Sequence, residues 1–265
     1  RGRPPHPPKR VVALQRRTGG AGRAFTSRRT RAVDGEGTVE SAPPLGHCDV
    51  RNGYVDGLRK TLNISNRYTD LEAVSIANYY YRQKKGSDFL PHQFQKIIAI
   101  SCVLKRGDEL EIWSIGNSDS DEKELIQRFM DGVNKFIPTL VSWNGSGFDL
   151  PVINYRALVH QINGGVYMDQ GENNHDFKYN NFISRYHSRH TDVMDFLALY
   201  GGRANASLND IAKLCGFPGK LDMDGGDVYQ NFQDGKIEAI RNYCETDVLN
   251  TYLVYLRLIY LKNQL

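Results

Sequence analysis

Two short strings carry the residue types that could do chemistry. Tyr243-Cys244-Glu245-Thr246-Asp247 lies near the C-terminus, and Asn144-Gly145-Ser146-Gly147-Phe148-Asp149 lies well before it. A spacing of four puts Tyr243 and Asp247 on one face of a helix. The second string follows the apolar run Leu140-Val141-Ser142-Trp143 and delivers Asp149 where a helix would begin. Two carboxylates and a phenol are suited to holding divalent metals against a phosphodiester. Its hydrolysis needs an activated water in line with the leaving oxygen. Two Mg²⁺ or Mn²⁺ ions about 3.5–4 Å apart can stabilise both the attacking and the leaving oxygen. Hard cations take oxygen ligands, so a few carboxylates suffice. A tyrosine beside them can orient the water or help take its proton. The pattern points to a metal-dependent nuclease.

Each string also has a plainer reading. A chain with 15 Tyr yields about one Tyr-x-x-x-Asp by chance. Asn144 to Asp149 reads equally as a strand-to-helix turn, with glycines supplying dihedral freedom and Asp149 capping the helix. The conjunction carries the inference: a strand before one string and a long helix under the other, in this order.

The elements that must position these residues follow from apolar patterning. Ile97 to Leu104 is short, β-branched and nearly all apolar, as a buried strand should be. Leu110 to Ile115 alternates, and the Arg106-Gly107-Asp108 turn makes the two a hairpin. Pro138 to Trp143 is a third strand. Helices are expected over 62–85, 121–136, from Leu150-Pro151 onward, and over 192–200, 206–215 and 235–261. In the helix over 206–215, Leu208, Ile211 and Leu214 supply the apolar face. Residues 163–190 read as an extended loop region. Strand–helix alternation implies an α/β sheet covered on both faces.

Composition bounds the rest. The net charge of +4 is unevenly spread. Residues 1–47 hold ten Lys/Arg against three Asp/Glu, and residues 48–265 are slightly acidic. Whole-chain basicity is therefore weak evidence for nucleic-acid binding. Residues 1–47 read as a disordered or non-native basic segment, and 48–265 as the folded domain. An Arg-rich start also resembles an organelle transit peptide. Four widely spaced cysteines without a Cys-x-x-Cys fit a reducing cytoplasm rather than a zinc site or a disulfide framework. No apolar run approaches a membrane span.

From Asp49 onward the chain resembles the predicted 3′-5′ exonucleases related to the proofreading domain of family-B DNA polymerases. These are DEDDy enzymes of the ribonuclease-H-like superfamily. The resemblance rests on Ser87-Asp88-Phe89-Leu90-Pro91, residues 140–151, 183–195, 214–220 and 239–252. It implies a three-layer α/β/α fold with a mixed central sheet. It implies metal ligation by Asp149 and Asp247, a water positioned by Tyr243, and a two-metal Mg²⁺ or Mn²⁺ site. The substrate implied is a single-stranded or frayed DNA 3′ end. Asn144 and Phe148 are expected to help seat the terminal nucleotide, with Phe148 offering a stacking face or packing into the core.

The family opens with a strand ending Asp-x-Glu-Thr, and here the chain departs from it. Asp49-Val50-Arg51 has the right distance to Phe89-Leu90-Pro91, with Arg51 where Glu is needed. Asp34-Gly35-Glu36 lies too far upstream, and Asp70-Leu71-Glu72 sits in a helical pattern. Asp49 is the favoured metal ligand and catalytic carboxylate. Arg51 is expected to weaken metal binding and impair cleavage, or to turn toward a DNA phosphate. The alternative reading is a nucleic-acid-binding module on the same fold that no longer cleaves. An upstream frame shift would account for Arg51 and the N-terminal composition together; an uninterrupted gene at the locus would refute it. His187-x-x-His190-x-Asp192 is assigned a structural or substrate-contact role, since no further ligands accompany it. Tyr79-Tyr80-Tyr81 with Arg82, Lys84 and Lys85 reads as a single-strand-binding mix or as half a helix face.

Overall fold

The computed structural model describes residues 11–18, 55–85, 90–106, 109–220, 223 and 227–263. The chain forms two compact units, one of residues 20–95 and one of residues 1–19 with 96–265.

The larger unit is built on five strands: β1 (Val11–Thr18), β2 (Ile97–Arg106), β3 (Glu109–Ser114), β4 (Thr139–Ser142) and β5 (His190–Asp192). Their order is β3-β2-β1-β4-β5. β1 pairs antiparallel with β2 and parallel with β4, and β4 pairs parallel with β5. β2 and β3 form the expected hairpin.

Two-residue periodicity sends alternate side chains of the sheet into different layers. Ile100, Cys102 and Leu140 enter a core with Leu125, Phe129, Ile153, Tyr167 and Phe182. That layer comprises α3 (Glu122–Phe136), α4 (Leu150–Val159) and the short α5 (Asp176–Tyr179). Val103, Val141 and Trp143 enter the other core with Met194, Ala212, Val248 and Tyr252. Its helices are α6 (Val193–Leu197), α7 (Leu208–Leu214), α8 (Val228–Gln233) and α9 (Ile237–Leu261). The fold is therefore the ribonuclease-H-like three-layer α/β/α arrangement with a mixed sheet. Helix starts follow their caps: Asp121 accepts from Glu124 N at 2.7 Å and Ser207 from Asp210 N at 3.1 Å.

Among the described residues, the smaller unit holds the α-helices α1 (Asp56–Leu62) and α2 (Asp70–Lys85), around Leu58, Ala73, Ala77, Tyr81 and Phe94. The single helix expected over 62–85 is interrupted, because Asn63 adopts φ 54° and ends the first helix. Tyr81 is buried, whereas Tyr79 and Tyr80 are exposed.

β1 lies where the sequence reading has no strand. Val11–Thr18, within the basic segment 1–47, takes the central place between β2 and β4. The cause is one of scale. Val11-Val12-Ala13-Leu14 is a competent strand seed, but 47 residues of Arg, Gly and Pro average it away. Between β2 and β4 its backbone groups find partners on both sides. Asp49, Arg51, Asp34, Glu36 and the Gly107-Asp108 turn lie outside the described residues. Three smaller differences are the extra strand β5, the unanticipated α8, and Leu214, which is exposed rather than packed.

Candidate active site

Asp149 ends a single π-helical turn, Gly145–Asp149, which joins β4 to α4. Asn144 opens it at φ 59°, a left-handed conformation that asparagine tolerates. Such turns recur at functional sites. Gly145 is required here, because a Cβ would overlap the Ser142 Oγ. Pro151 takes the first turn of α4, where its missing N–H costs nothing.

Asp192 holds the turn. Its Oδ1 accepts from Asn144 N and its Oδ2 from Ser146 N, both at 2.9 Å. The same carboxylate caps α6 through Asp195 N at 3.3 Å. Beneath it, Ser142 Oγ and His190 Nε2 lie 2.8 Å apart. Burial pushes His190 down to about 4, against the smaller opposing pull of Asp192 and Asp195. The imidazole is therefore neutral at physiological pH. His187 faces another way and accepts from Asn181 N at 3.0 Å. The two histidines and Asp192 thus do separate structural jobs.

Asp247 and Tyr243 lie one turn apart on α9, which packs on β1, β2 and β4. Both are buried, as is Asp149. The Tyr243 ring packs with Ala99, Val228 and Ile240. Val248, next to Asp247, shares a core with Trp143, the residue after β4. α9 is fixed at further points. Glu245 accepts from Ser114 Oγ at 2.7 Å, and Arg241 donates to the Gly116 carbonyl at 3.0 Å. Asn250 clasps Gly219 through both its N–H and its carbonyl, at 3.1 and 2.8 Å.

Asp149 and Asp247 thus sit on elements that both contact β1. Phe148 is half-buried and Asn144 partly exposed at the turn. Asp70 and Glu72 belong elsewhere. Glu72 closes a capping box with Thr69 at 2.7 Å, and Asp70 pairs with Arg59 at 3.1 Å, both within the smaller unit. Among the described residues no three His, Cys, Asp or Glu side chains gather as a metal-binding group. β1 itself contains no Asp or Glu.

Sequence reasoning missed the Ser142–His190 contact and the hold of Asp192 on the turn. Their partners lie 46 to 48 residues away in sequence, beyond any local pattern.

The layers and the mixed sheet define a ribonuclease-H-like domain. Residues 87–265 match the family described as predicted 3′-5′ exonuclease related to the exonuclease domain of PolB, and the chain belongs to that family. A DNA polymerase of Archaeoglobus fulgidus is 26% identical over 161 residues, 60% of this chain and 19% of the polymerase. The chain thus spans about a fifth of that relative. Among solved structures, the family B DNA polymerase of the hyperthermophilic archaeon Pyrobaculum calidifontis superposes with a TM-score of 0.49 and 14% identity. The superposition covers 98% of this chain and 25% of that one.

Proposed function

We propose that this chain is a metal-dependent DEDDy-type 3′-5′ exonuclease domain acting on single-stranded or frayed DNA 3′ ends. The observation that carries the reading is the buried trio of Asp149, Asp247 and Tyr243, on two elements that both pack on β1. The carboxylates offer oxygen donors only, which suits a hard cation. Two carboxylates fit one Mg²⁺ or Mn²⁺ that keeps several waters. They do not fit the full two-ion site, which needs further carboxylates. When bound, the cation would supply Lewis-acid stabilisation of the phosphoryl oxygens. Tyr243 would orient the attacking water, while Asn144 and Phe148 would seat the terminal nucleotide. Asp49 remains the proposed third ligand. No described helix is long and apolar enough to cross a membrane. The free Cys102, Cys215 and Cys244 support a cytoplasmic placement.

A second reading, a binding module that no longer cleaves, is favoured by one observation. β1 ends Gln15-Arg16-Arg17-Thr18, so Gln15 and Arg17 stand where an Asp-x-Glu-Thr ending would put its carboxylates. The lesion then lies in β1 or at Arg51, and each can be repaired separately.

The test is degradation of a 5′-labelled single-stranded oligonucleotide with Mn²⁺. The parent is compared with Arg51→Glu and with Gln15→Asp/Arg17→Glu, and Asp149→Ala serves as the blank. Laddering by either repaired chain but not the parent supports the exonuclease site and locates the lesion. Laddering by the parent removes the second reading. Silence from all of them leaves the binding module. Calorimetry checks the ligands directly: if Asp149→Ala takes up Mn²⁺ as the parent does, the assignment is wrong.

A further inference from the structure

β3 is the last strand of its sheet, and among the described residues no strand pairs with its outer edge. Ile115 N bonds back to the Ile100 carbonyl at 2.7 Å, whereas the Ser114 carbonyl turns outward and accepts from Arg241 Nη2 at 3.3 Å. Successive residues of an antiparallel strand alternate in this way. Leu110 and Ile112 therefore point their N–H and C=O groups at the open edge. Exposed edges are commonly blunted by proline or a bulge. β3 contains no proline, and its register with β2 is uninterrupted. It also shows solvent three large apolar side chains, Leu110 at 43%, Ile112 at 39% and Trp113 at 38% exposure.

A cavity of about 470 Å³ lies beside this edge. Its size falls within the roughly 300–1,000 Å³ typical of ligand sites. Cys102 and Leu104, which stand opposite Trp113 and Glu111, line it from the sheet, and Phe129 and Phe136 line it from α3. Facing residues of paired strands share one side of the sheet, so Glu109, Glu111 and Trp113 stand on the cavity side. A strand added to β3 would send every second side chain toward the cavity.

Gly132 keeps this space open. It lies inside α3 and lines the cavity. Glycine is a poor choice in a helix interior, and here a Cβ would meet nothing within 4 Å. The helix could carry alanine without a clash, yet its backbone is left bare at the cavity wall.

Charge selects the occupant. Glu109 and Glu111 flank the apolar positions of β3, and Asp131 lines the cavity. Arg128, which also lines it, is paired with Glu124 at 2.6 Å. Lys105 stands opposite Leu110, on the other side of the sheet. The charge left on the cavity side is negative, which repels nucleic acid and anionic lipid. The β3 edge of a second copy would bring the same carboxylates. An apolar side chain between Lys or Arg residues fits.

We propose that the β3 edge binds an extended segment of a partner protein. An aromatic or large aliphatic side chain of that segment enters the cavity beside Trp113, and its basic residues meet Glu109 and Glu111. Backbone pairing at Leu110 and Ile112 supplies affinity and the cavity supplies specificity, as in strand addition generally. The proposal stands apart from the exonuclease reading.

The test selects a displayed library of random short peptides against the full chain, then titrates the synthetic consensus peptide by fluorescence anisotropy. The parent should enrich sequences with an aromatic or large aliphatic residue between lysines or arginines. Gly132→Trp puts a large side chain at the cavity wall. Ile112→Pro removes an N–H from the open edge, where proline is tolerated. Each should weaken the consensus peptide by about tenfold or more, while Gly132→Ala binds as the parent does. Thermal melting shows whether each variant folds. If either does not, Glu109→Lys/Glu111→Lys carries the test, since it should turn the selected flanks acidic. No enriched class with the parent overturns the proposal, and so does an acidic class. A folded Gly132→Trp that binds the consensus peptide as the parent does also overturns it. Sedimentation of the parent as a dimer that Ile112→Pro dissociates would place a second copy on the edge and overturn it as well.

Discussion

Asp192 grips the backbone on either side of Gly145: one oxygen takes the Asn144 N–H and the other the Ser146 N–H, both at 2.9 Å. A residue from the end of β5 thereby fixes the turn that ends in Asp149. The carboxylate thus acts on the candidate site by positioning it.

Asp192→Asn keeps the shape and leaves one good acceptor where there were two. The loss of a charge-assisted bond to the turn is expected to cost about 1–3 kcal/mol. For a chain of this size each kcal/mol lowers Tm by roughly 2–4 °C. Calorimetric melting reads the stability loss. Mn²⁺ titration should show weaker uptake than in the parent, since Asp149 loses its fixed position.

Gly145→Ala is expected to be more damaging than its single methyl suggests. The new Cβ would overlap the Ser142 Oγ, so Ser142 must move off His190. Overpacking of this kind costs about 1–3 kcal/mol. Loss of the Ser142–His190 contact can be followed in the His190 ring resonances. An unchanged resonance with unchanged Tm would contradict the tight approach.

His190 makes stability depend on mild acid. Its folded pKa, about 4, lies below its ordinary value of 6.5 because burial disfavours the charged ring. The unfolded chain therefore binds the extra proton first. Stability is fully present above about pH 6.5 and falls as the pH drops toward 4, by about 3 kcal/mol over the window. Urea midpoints at pH 7.5 and 5 measure the slope. His190→Gln should flatten this component.

The Glu122–Arg156–His160 cluster behaves differently. Arg156 forks onto Glu122 at 3.0 and 2.6 Å, His160 lies 2.8 Å away, and Ile97 N donates at 2.6 Å. Burial pushes the carboxyl up, but His160, Arg156 and Ile97 N together outweigh it and hold it below its ordinary value. That stabilisation exists above the unfolded carboxyl pKa and vanishes as pH falls through the lowered folded one. Arg156→Met strands a buried charge and should cost about 3–5 kcal/mol. Adding Glu122→Gln should recover part of that loss, and a double-mutant cycle in denaturant measures the recovery.

The local code of the chain settled much of this fold. β-branched runs made β2 and β4, whereas β3 lacks alternating burial, its residues before Ser114 all being exposed. The helices expected over 121–136 and 206–215 start at Asp121 and Ser207, whose side chains cap them. Along α9, Ile240, Tyr243, Val248, Tyr252 and Val254 are buried and Ile237 is half-buried. Asp149 could be placed after a strand and Asp247 on a helix because the apolar period determines both. Tertiary structure alone decided which segment fills the sheet. Val11–Thr18 is a weak strand by composition, and its place depends on backbone partners from β2 and β4, at least 79 residues away at every paired position. The same holds for Asp192 and His190, whose partners lie across the sheet end, and for Tyr200, held in a left-handed conformation by the Asp195 carbonyl. Periodicity is a property of neighbours along the chain. A capped turn and a buried neutral imidazole are properties of neighbours in space.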